Sequence, residues 1–333
     1  MQDTWQAFLI DQGATIQDNG VIEFDNANIK LSKSPIVSPL SGFTVLAIGG
    51  NDRHAFLHSQ FINDLNLIEK PAAQLSAWCN PKGQVITNFF IINTGISYLL
   101  IFKQDLTAFV QKRLGMFVLR SEVTIDNISE SSPLVGIANL KNLSSLSPNV
   151  PTNPGEVIAH QGLIIICYPD NSGRYLIIGS NEALIKKISE LKESFTITGS
   201  STWNLLDILA GHPWITSVTQ EQFLPQMLNL DALKGLSYQK GCYPGQEVIA
   251  RLHYRGEVKK RLHLIKAEQA LIAGNVIHLQ DTDKKVGIII NAEPHPDGSS
   301  YALAVIELEK VNEKLFSDNH QITLQELPYA VEP

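Results

Sequence analysis

The chain has 333 residues, with 26 Lys and Arg against 33 Asp and Glu, so its net charge at pH 7 is −7. This acidic balance argues against a nucleic-acid coat protein and against a polybasic membrane binder. Hydrophobic residues make up 44% of the chain and charged residues 18%, a composition that excludes general disorder. A chain of this length is expected to form two or three domains.

No segment approaches the roughly 20 apolar residues that cross a bilayer, and we expect a cytoplasmic, unprocessed protein. Cys79, Cys167 and Cys242 are too few and too scattered for a disulfide framework, and they form no C-x-x-C pair. We therefore expect reduced thiols and no metal. His54 and His58 have the i, i+4 spacing of a metal pair, but no carboxylate is arranged around them, which favours surface histidines.

Hydrophobic spacing predicts the elements of the first half of the chain. In chain order they are a helix around Trp5, Phe8 and Leu9; strands at 21–24 and 44–48; a helix capped by Asp52 that carries Phe56, Leu57, Phe61 and Leu65; a hairpin of strands 84–93 and 97–102; a helix at 105–116; and a strand at 123–127. The last four elements form the order hairpin, helix, strand.

The same order returns after a stretch at 128–155 that is rich in Ser, Pro and Asn. Its predicted elements are strands near 163–168 and 174–179, a helix at 181–193 and a strand at 195–198. From about 258 onward the pattern changes to short strands near 259–266, 275–280, 284–292 and 301–308. We therefore predict an α+β protein with two related α+β units, 1–127 and 128–257, followed by a small β-barrel or sandwich at 258–333.

The most informative segment is Lys240-Gly241-Cys242-Tyr243-Pro244-Gly245-Gln246-Glu247, which runs from a loop into a helix. Its glycines permit positive φ or close backbone approach, and the helix start favours an anion. A thiol beside Lys240 is expected to be biased toward thiolate and so toward nucleophilic or redox chemistry. The alternative is a buried cysteine that acts as a small hydrophobe in a Gly-rich turn. The segment alone leaves these two interpretations equal.

The pattern K-G-C-Y-x-G-Q-E resembles the signature of the YgfZ folate-binding family, relatives of the glycine-cleavage aminomethyltransferases. The resemblance covers most of the chain, although 128–200 matches only in pattern. Further similar positions are Phe223, Pro225, Gln226, Asn229 and Leu230; Ile48-Gly49-Gly50 through Asp64; Lys82-Gly83; and the terminal Leu327-Pro328-Tyr329.

The resemblance implies an aminomethyltransferase-like fold whose two α+β units and C-terminal barrel surround a central channel that holds tetrahydrofolate or another folate. It also implies a role in maintaining iron-sulfur enzymes, including those that thiolate tRNA, without an established reaction. Direct RNA contact stays open, and no membrane partner is implied. The folate-contacting aromatic positions of the family match Phe43 and Trp203, where Phe43 replaces the usual Trp and loses the indole donor.

Several side chains around the 240–247 segment are candidates for binding the folate. A carboxylate suits the donor edge of a pterin, so Glu247 is a candidate acceptor, but a first-turn Glu is equally explained by the helix dipole. Trp203 follows Thr202, a predicted N-cap, and core packing alone would also explain it. The predicted binding set comprises Phe43, Trp203, Lys240, Gly241, Tyr243, Gly245, Gln246, Glu247 and Arg251, with Cys242 as the reactive thiol.

A run of positive charge follows the segment, with Arg251, Arg255, Lys259, Lys260 and Arg261 against Glu257. It suits a folate glutamyl tail or an RNA backbone, although such a run is more often a solvated face.

The rival function is a tetrahydrofolate-dependent aminomethyltransferase. Those enzymes resemble one another in adjacent aspartates after the first Gly-Gly turn, and the corresponding residues here are Thr87 and Asn88, which are not carboxylates. We therefore rank a folate-dependent accessory protein above a transferase, with a non-catalytic scaffold third. The sequence does not identify the folate species, the partner or the oligomeric state.

Overall fold

The computed structural model describes residues 4–18, 20–25, 31, 34–170, 172–191, 194–280, 282 and 284–331. Its six helices are α1 (Thr4–Asp11), α2 (Arg53–Gln60), α3 (Thr107–Gly115), α4 (Asn181–Leu191), α5 (Ser200–Leu209) and α6 (Gln246–Arg255).

The strands of the described ranges lie between these helices and after the last of them. They are β1 (Thr15–Ile16), β2 (Ile22–Glu23), β3 (Ile36–Pro39), β4 (Phe43–Gly49), β5 (Ala72–Cys79), β6 (Val85–Asn93), β7 (Tyr98–Lys103), β8 (Thr124–Asn127), β9 (Leu134–Ala138), β10 (Val157–His160), β11 (Leu163–Cys167), β12 (Tyr175–Gly179), β13 (Thr196–Ile197), β14 (Lys260–Ala267), β15 (Val276–Leu279), β16 (Lys285–Pro294), β17 (Ser300–Glu307), β18 (Leu315–Ser317) and β19 (His320–Gln325).

The chain divides into two compact units built from interleaved segments. The first comprises 1–54, 66–74 and 90–203, and the second comprises 55–65, 75–89 and 204–333. The sequence predicted three consecutive domains instead, and those boundaries at 127 and 257 stay a prediction.

A six-stranded sheet in the first unit has the order β10-β11-β12-β9-β3-β13. Its pairs are antiparallel except for the parallel pair of β13 with β3. Trp5 and Leu9 of α1 and Leu184 and Ile188 of α4 are buried in one core with residues of this sheet such as Ile165. The apolar stripes of the two helices therefore cover the sheet, as their helical spacing requires.

A second sheet has five strands in the order β5-β6-β7-β4-β8. Strands β6 and β7 are antiparallel neighbours, and β4 pairs with both β7 and β8. All nine residues of β6 are buried, which explains why its sequence is a nearly continuous apolar run. The predicted hairpin of 84–93 and 97–102 is therefore present.

The second unit contains a closed barrel in the order β14-β17-β16-β15-β18-β19. Strand β14 pairs with both β17 and β19, which closes the barrel. Its interior is filled by aliphatic side chains such as Ile265, Ile277, Ile289 and Ala304. Of the two predicted architectures, barrel and sandwich, the structure has the barrel. Its strands β18 and β19 were not predicted from the sequence.

Several local predictions were wrong. Helix α2 ends at Gln60, so Phe61 and Leu65 lie beyond it. Thr202 lies inside α5, which begins at Ser200, and is not its N-cap. Strand β9 was missed, because it lies within the stretch interpreted as a loop. The predicted helix at 181–193 is present as α4, but 192–193 lie outside the described residues.

Strand β5 was also missed, and it carries Cys79 at its last position.

Among the residues that the structure describes, no helix is long and apolar enough to cross a membrane.

Candidate functional site

The 240–247 segment lies in the second unit and leads into α6. Lys240 and Tyr243 are buried, whereas Gly241 and Cys242 between them are exposed. This alternation of anchored and exposed positions holds the loop at both sides of the cysteine. The segment therefore holds the Cys242 side chain at an exposed position between two anchored residues.

Lys240 anchors the loop to the end of α2. Its ammonium nitrogen Nζ donates hydrogen bonds to the carbonyl oxygens of His58 and Phe61, both at 2.5 Å. Carbonyls at a helix C-terminus lack intrahelical partners, and the helix dipole favours a cation there. Burial lowers the pKa of Lys240 from 10.5 to about 8, opposed by the nearby Asp64 carboxylate and Cys242 thiol.

Gly245 anchors the other side of the loop. It precedes α6 with φ of 83°, in the left-handed region that favours glycine. A Cβ atom there would lie 2.6 Å from both the carbonyl oxygen of Asn80 and the Cα of Gly83. Gly83 also has a positive φ, 75°, in the β5–β6 turn. Gly245 of the segment and Gly83 of the turn thus let two backbones meet.

The residues that precede the segment form a buried polar network. Gln226 donates through Nε2 to the carbonyl oxygen of Ile249 in α6 at 2.9 Å. Asn229 donates to the carbonyl oxygen of Leu262 at 3.0 Å, with φ of 56°. Arg261 donates to the Gln226 carbonyl at 2.9 Å and pairs with Asp231 at 2.8 Å. These residues hold α6 against β14, so they support the site structurally.

Cys242 differs from the other two cysteines of the chain. Cys242 is exposed, whereas Cys79 and Cys167 are buried. Desolvation raises the pKa of the Cys79 thiol well above its ordinary range and raises that of Cys167 to about 11. A thiol is reactive as the thiolate, so the two buried cysteines are poor nucleophiles. Cys242 is exposed, so its interpretation as a buried small hydrophobe is wrong, and its reactivity stays a prediction.

The predicted binding residues around α6 occupy different environments. Gln246 donates through Nε2 to the Lys240 carbonyl at 3.4 Å, which closes the loop on itself. Tyr243 is buried, and desolvation raises its pKa, so its hydroxyl stays protonated. Glu247 and Arg251 are exposed on α6. Both interpretations of Glu247 stay open, since it lies in the first helical turn and reaches solvent.

The basic run after the segment is divided by the fold. Lys260 pairs with Glu307 at 3.1 Å, and Arg261 is buried in the network described above. Arg251, Arg255 and Lys259 are exposed. Fewer cations are therefore available to bind an anion than the five that the sequence contains.

The two aromatic residues predicted to contact folate lie in the first unit and are buried. Phe43 is 4% exposed, and the Lys103 ammonium lies 3.8 Å from its ring centroid. Trp203 is 1% exposed. The Arg174 guanidinium lies 4.9 Å from the Trp203 ring centroid, and a methyl group on Gly136 would collide with that ring.

As they stand, these two rings offer no open face to a flat ligand, and they do not fit a sandwiched pterin directly. Stacking on Phe43 requires Lys103 to move away, and stacking on Trp203 requires Arg174 to do so. Arg174 is held by its ion pair with Asp170 at 2.9 Å. The predicted contacts between these rings and a folate therefore stay a prediction.

Thr87 and Asn88 are buried on β6. They are the positions at which the sequence analysis expects aspartates in a transferase. Asn88 donates through Nδ2 to the Pro213 carbonyl at 2.7 Å and accepts from the backbone N–H of Ile215 at 2.8 Å. A carboxylate accepts but does not donate, so only an amide satisfies both partners. Asn88 is a structural residue that fixes the 213–215 loop.

Sequence reasoning missed two residues beside the segment, His58 and Asp64. It placed His58 on the surface, whereas the structure makes it partly buried in the last turn of α2. The two side chains pair there, with His58 Nδ1 3.7 Å from Asp64 Oδ1. The signals in the sequence were the i, i+4 spacing of His54 and His58 and the position of both residues in the stretch from Ile48 to Asp64 that resembles the same family.

No family model matches the chain. Among curated proteins, it is 32% identical over 278 residues to the "tRNA-modifying protein YgfZ" of Colwellia psychrerythraea, covering 80% of this chain and 84% of that protein. The chain belongs to the YgfZ family. The YgfZ protein of Pectobacterium carotovorum is 28% identical over 309 residues, covering 90% of this chain and 92% of that protein.

The fold of this YgfZ family member is similar to that of a solved aminomethyltransferase. The glycine cleavage system aminomethyltransferase T from Bartonella henselae superposes with a TM-score of 0.78 over 98% of this chain and 96% of that one, at 12% identity. This similarity confirms the predicted aminomethyltransferase-like fold. It concerns the fold alone, and the predicted central channel stays a prediction.

Proposed function

We propose that this YgfZ family member is a folate-binding accessory protein in tRNA modification and in the maintenance of iron-sulfur enzymes, and that the Cys242 thiol is its reacting group. One observation carries the proposal. Of the three cysteines, the one in the 240–247 segment is exposed, on a loop anchored by Lys240 and Gly245. The names of the curated relatives, tRNA-modifying proteins, support the process in which it acts.

The loop anchors support a reactive role for the thiol. A buried lysine and a turn that only glycine adopts without strain both cost stability. Holding an exposed loop in one conformation reduces the conformational entropy that is lost when a partner binds. We therefore interpret the anchors as positioning Cys242 for a partner protein or for a labile sulfur or iron species.

The transferase alternative is less well supported. Thr87 and Asn88 supply no carboxylate, and Asn88 is engaged by Pro213 and Ile215. Proton transfer at a substrate nitrogen needs a positioned acid or base, which this pair does not provide. A turnover assay with an aminomethyl donor and tetrahydrofolate is therefore expected to show no product.

The thiol is tested by complementation of cells that lack the protein. Cys242→Ser is expected to abolish rescue of iron-sulfur enzyme activity and of thiolated tRNA, because serine removes the nucleophile with little change in shape. The matched control is Cys167→Ala, a buried cysteine of the other unit, which is expected to rescue. Full rescue by Cys242→Ser would remove the thiol from the mechanism.

Folate binding is tested separately by calorimetric titration with tetrahydrofolate. We expect binding by the wild-type protein and by Cys242→Ser. We expect Trp203→Ala to bind more weakly by about 1 kcal/mol or more if its ring stacks on the ligand. Because Trp203 is buried, each variant is first shown to unfold cooperatively in urea. Unchanged affinity in a folded Trp203→Ala variant would leave Trp203 with a packing role only, and absence of binding by the wild type would favour the scaffold.

A further inference from the structure

A histidine and a carboxylate lie beside the exposed cysteine. His58 Nε2 is 3.9 Å from the position that a Cβ atom on Gly241 would take, and Gly241 is the residue directly before Cys242. On its other side, His58 Nδ1 is 3.7 Å from Asp64 Oδ1. The His58 imidazole therefore lies between a carboxylate and the backbone that carries the thiol.

The position of His58 relative to the loop is fixed by Lys240. The Lys240 ammonium donates to the backbone carbonyl oxygen of His58, so the side chain of the residue two positions before Cys242 is bonded to the backbone that carries the imidazole. His58 and Asp64 are each 22% exposed at the side chain, so water reaches them only in part. Partial burial strengthens the interaction of Asp64 with a protonated imidazole.

The charged and titratable groups that face this cluster come from three elements. His58 belongs to α2, Asp64 to the segment that follows it, and Lys240, Cys242 and Tyr243 to the loop before α6. Tyr243 is buried, its hydroxyl is protonated, and the Lys240 ammonium lies 4.9 Å from its ring centroid. Among these groups, His58 is the one whose ordinary titration range includes neutral pH.

We propose that His58 accepts the proton of Cys242 and that Asp64 is the positioning residue that orients the imidazole. The proton moves from Sγ to the imidazole nitrogen Nε2 and leaves a thiolate and imidazolium pair, with no change in oxidation state. The pairing of a nucleophile with a base, and of that base with an orienting group, is the general arrangement of activated cysteines. The inference rests on the proposed function only in that Cys242 is the reacting thiol.

The test is the rate at which iodoacetamide alkylates Cys242, followed by mass spectrometry of the peptide from pH 5.5 to 9. In this reaction the sulfur forms a bond to carbon, iodide leaves, and the proton passes to the buffer. His58→Gln is expected to slow alkylation at pH 7 about tenfold and to change the shape of the pH profile, because the acceptor of the thiol proton is lost. Asp64→Asn is expected to shift the profile in the same direction by a smaller amount.

His54→Gln is the matched control, the same substitution one turn earlier on α2, where His54 Nδ1 bonds the Tyr98 hydroxyl at 2.7 Å. It is expected to leave the profile unchanged. A His58→Gln rate equal to wild type, or lower by the same factor at every pH, would overturn the proposal, because the second result indicates altered access only. If His58→Gln does not fold, Asp64→Asn decides by the same criteria.

The alkylation profile is independent of the biological role of the thiol. If Cys242→Ser rescues cells while the His58 profile holds, the proposed function fails and this inference stands. If the profiles are unchanged while Cys242→Ser abolishes rescue, the reverse is true.

Discussion

At the residue scale, Lys240 shows how a single side chain can serve both structure and site. It is buried against two carbonyl oxygens near the end of α2. Neutral acceptors stabilise an ammonium less than a carboxylate does, so its charge is kept at an energetic cost. The lowered pKa of about 8 expresses that cost.

The charge of Lys240 predicts a pH dependence of stability. Between about pH 8 and pH 10.5 the unfolded chain binds a proton that the folded chain does not, so this residue makes the free energy of unfolding rise with pH. From pH 7.5 to 9.5, wild type should gain about 2 kcal/mol relative to Lys240→Met, which lacks the titration. Urea unfolding of both proteins measures the difference, and a constant difference across that range would contradict the prediction.

Asn88 predicts what happens when the transferase residue type is introduced. Asn88→Asp places a buried carboxylate against the Pro213 carbonyl oxygen, where the amide donated a hydrogen bond. The lost donor and the buried charge are expected to destabilise the protein by about 2 to 4 kcal/mol, measured by urea unfolding. Asn312→Asp, at an exposed position, is the control and should change stability by less than about 0.5 kcal/mol. Equal stabilities of the two variants would mean that the Asn88 amide is not structural.

At the element scale, the start of α6 depends on a contact between two turns. Gly245 before the helix comes so close to the β5–β6 turn that a Cβ atom on it would lie 2.6 Å from the Cα of Gly83. Gly83 itself has a positive φ, and a Cβ atom on it would lie 3.2 Å from the Ile249 side chain. The Lys82-Gly83 pair and the 240–247 segment, which are far apart in sequence, therefore meet at the start of α6. The C-terminus is fixed in a similar way, since the Tyr329 hydroxyl donates to the Gly211 carbonyl at 2.8 Å.

Gly245→Ala is expected to destabilise the protein for two separable reasons. The left-handed φ of 83° costs a non-glycine residue about 1 to 2 kcal/mol, and the collision with Asn80 and Gly83 adds to it. Gly298→Ala isolates the first cost, because Gly298 has φ of 90° and nothing within 4 Å of a Cβ. Urea unfolding should show a larger loss for Gly245→Ala. Equal losses would mean that the turn contact does not constrain the loop.

At the scale of the whole molecule, the second unit combines a closed barrel with segments from distant parts of the chain. The barrel strands span 260–325 and close on themselves. The 240–247 segment, in contrast, is held by residues such as His58, Phe61 and Gly83, which precede it by well over 100 positions. The barrel is therefore formed by one continuous stretch of the chain, whereas the site needs residues from distant parts of it.

This difference predicts the behaviour of fragments. Residues 258–333 contain the whole barrel core and are expected to unfold cooperatively in urea as an isolated fragment. Residues 204–333 should fold the barrel but leave 240–245 unprotected in hydrogen exchange, because this loop loses its contacts with His58, Phe61 and Gly83. Protection of 240–245 in this fragment would show that the loop is held locally.

Elements with strong periodicity or long apolar runs, such as β6, β7, α4 and the barrel strands β14 to β17, could be predicted from the sequence. Each of these is specified by its own side chains. Strand β9 was not predicted because it has only five residues, flanked by Ser, Pro and Asn, which is too short a stretch to show a periodic pattern. Its place between β12 and β3 is set by the strands beside it. The extent of α2 likewise depended on contacts outside the helix.

The resemblance carried by the 240–247 segment also pointed to Cys242 among the three cysteines. The folded chain was needed to show that Cys242 is exposed while Cys79 and Cys167 are buried, that Lys240 caps a helix, and that Asn88 bridges a loop. It alone brought His58 and Asp64 beside the loop. Exposure and hydrogen-bond partners depend on residues distant in sequence, and a local pattern contains no information about which of these will be neighbours.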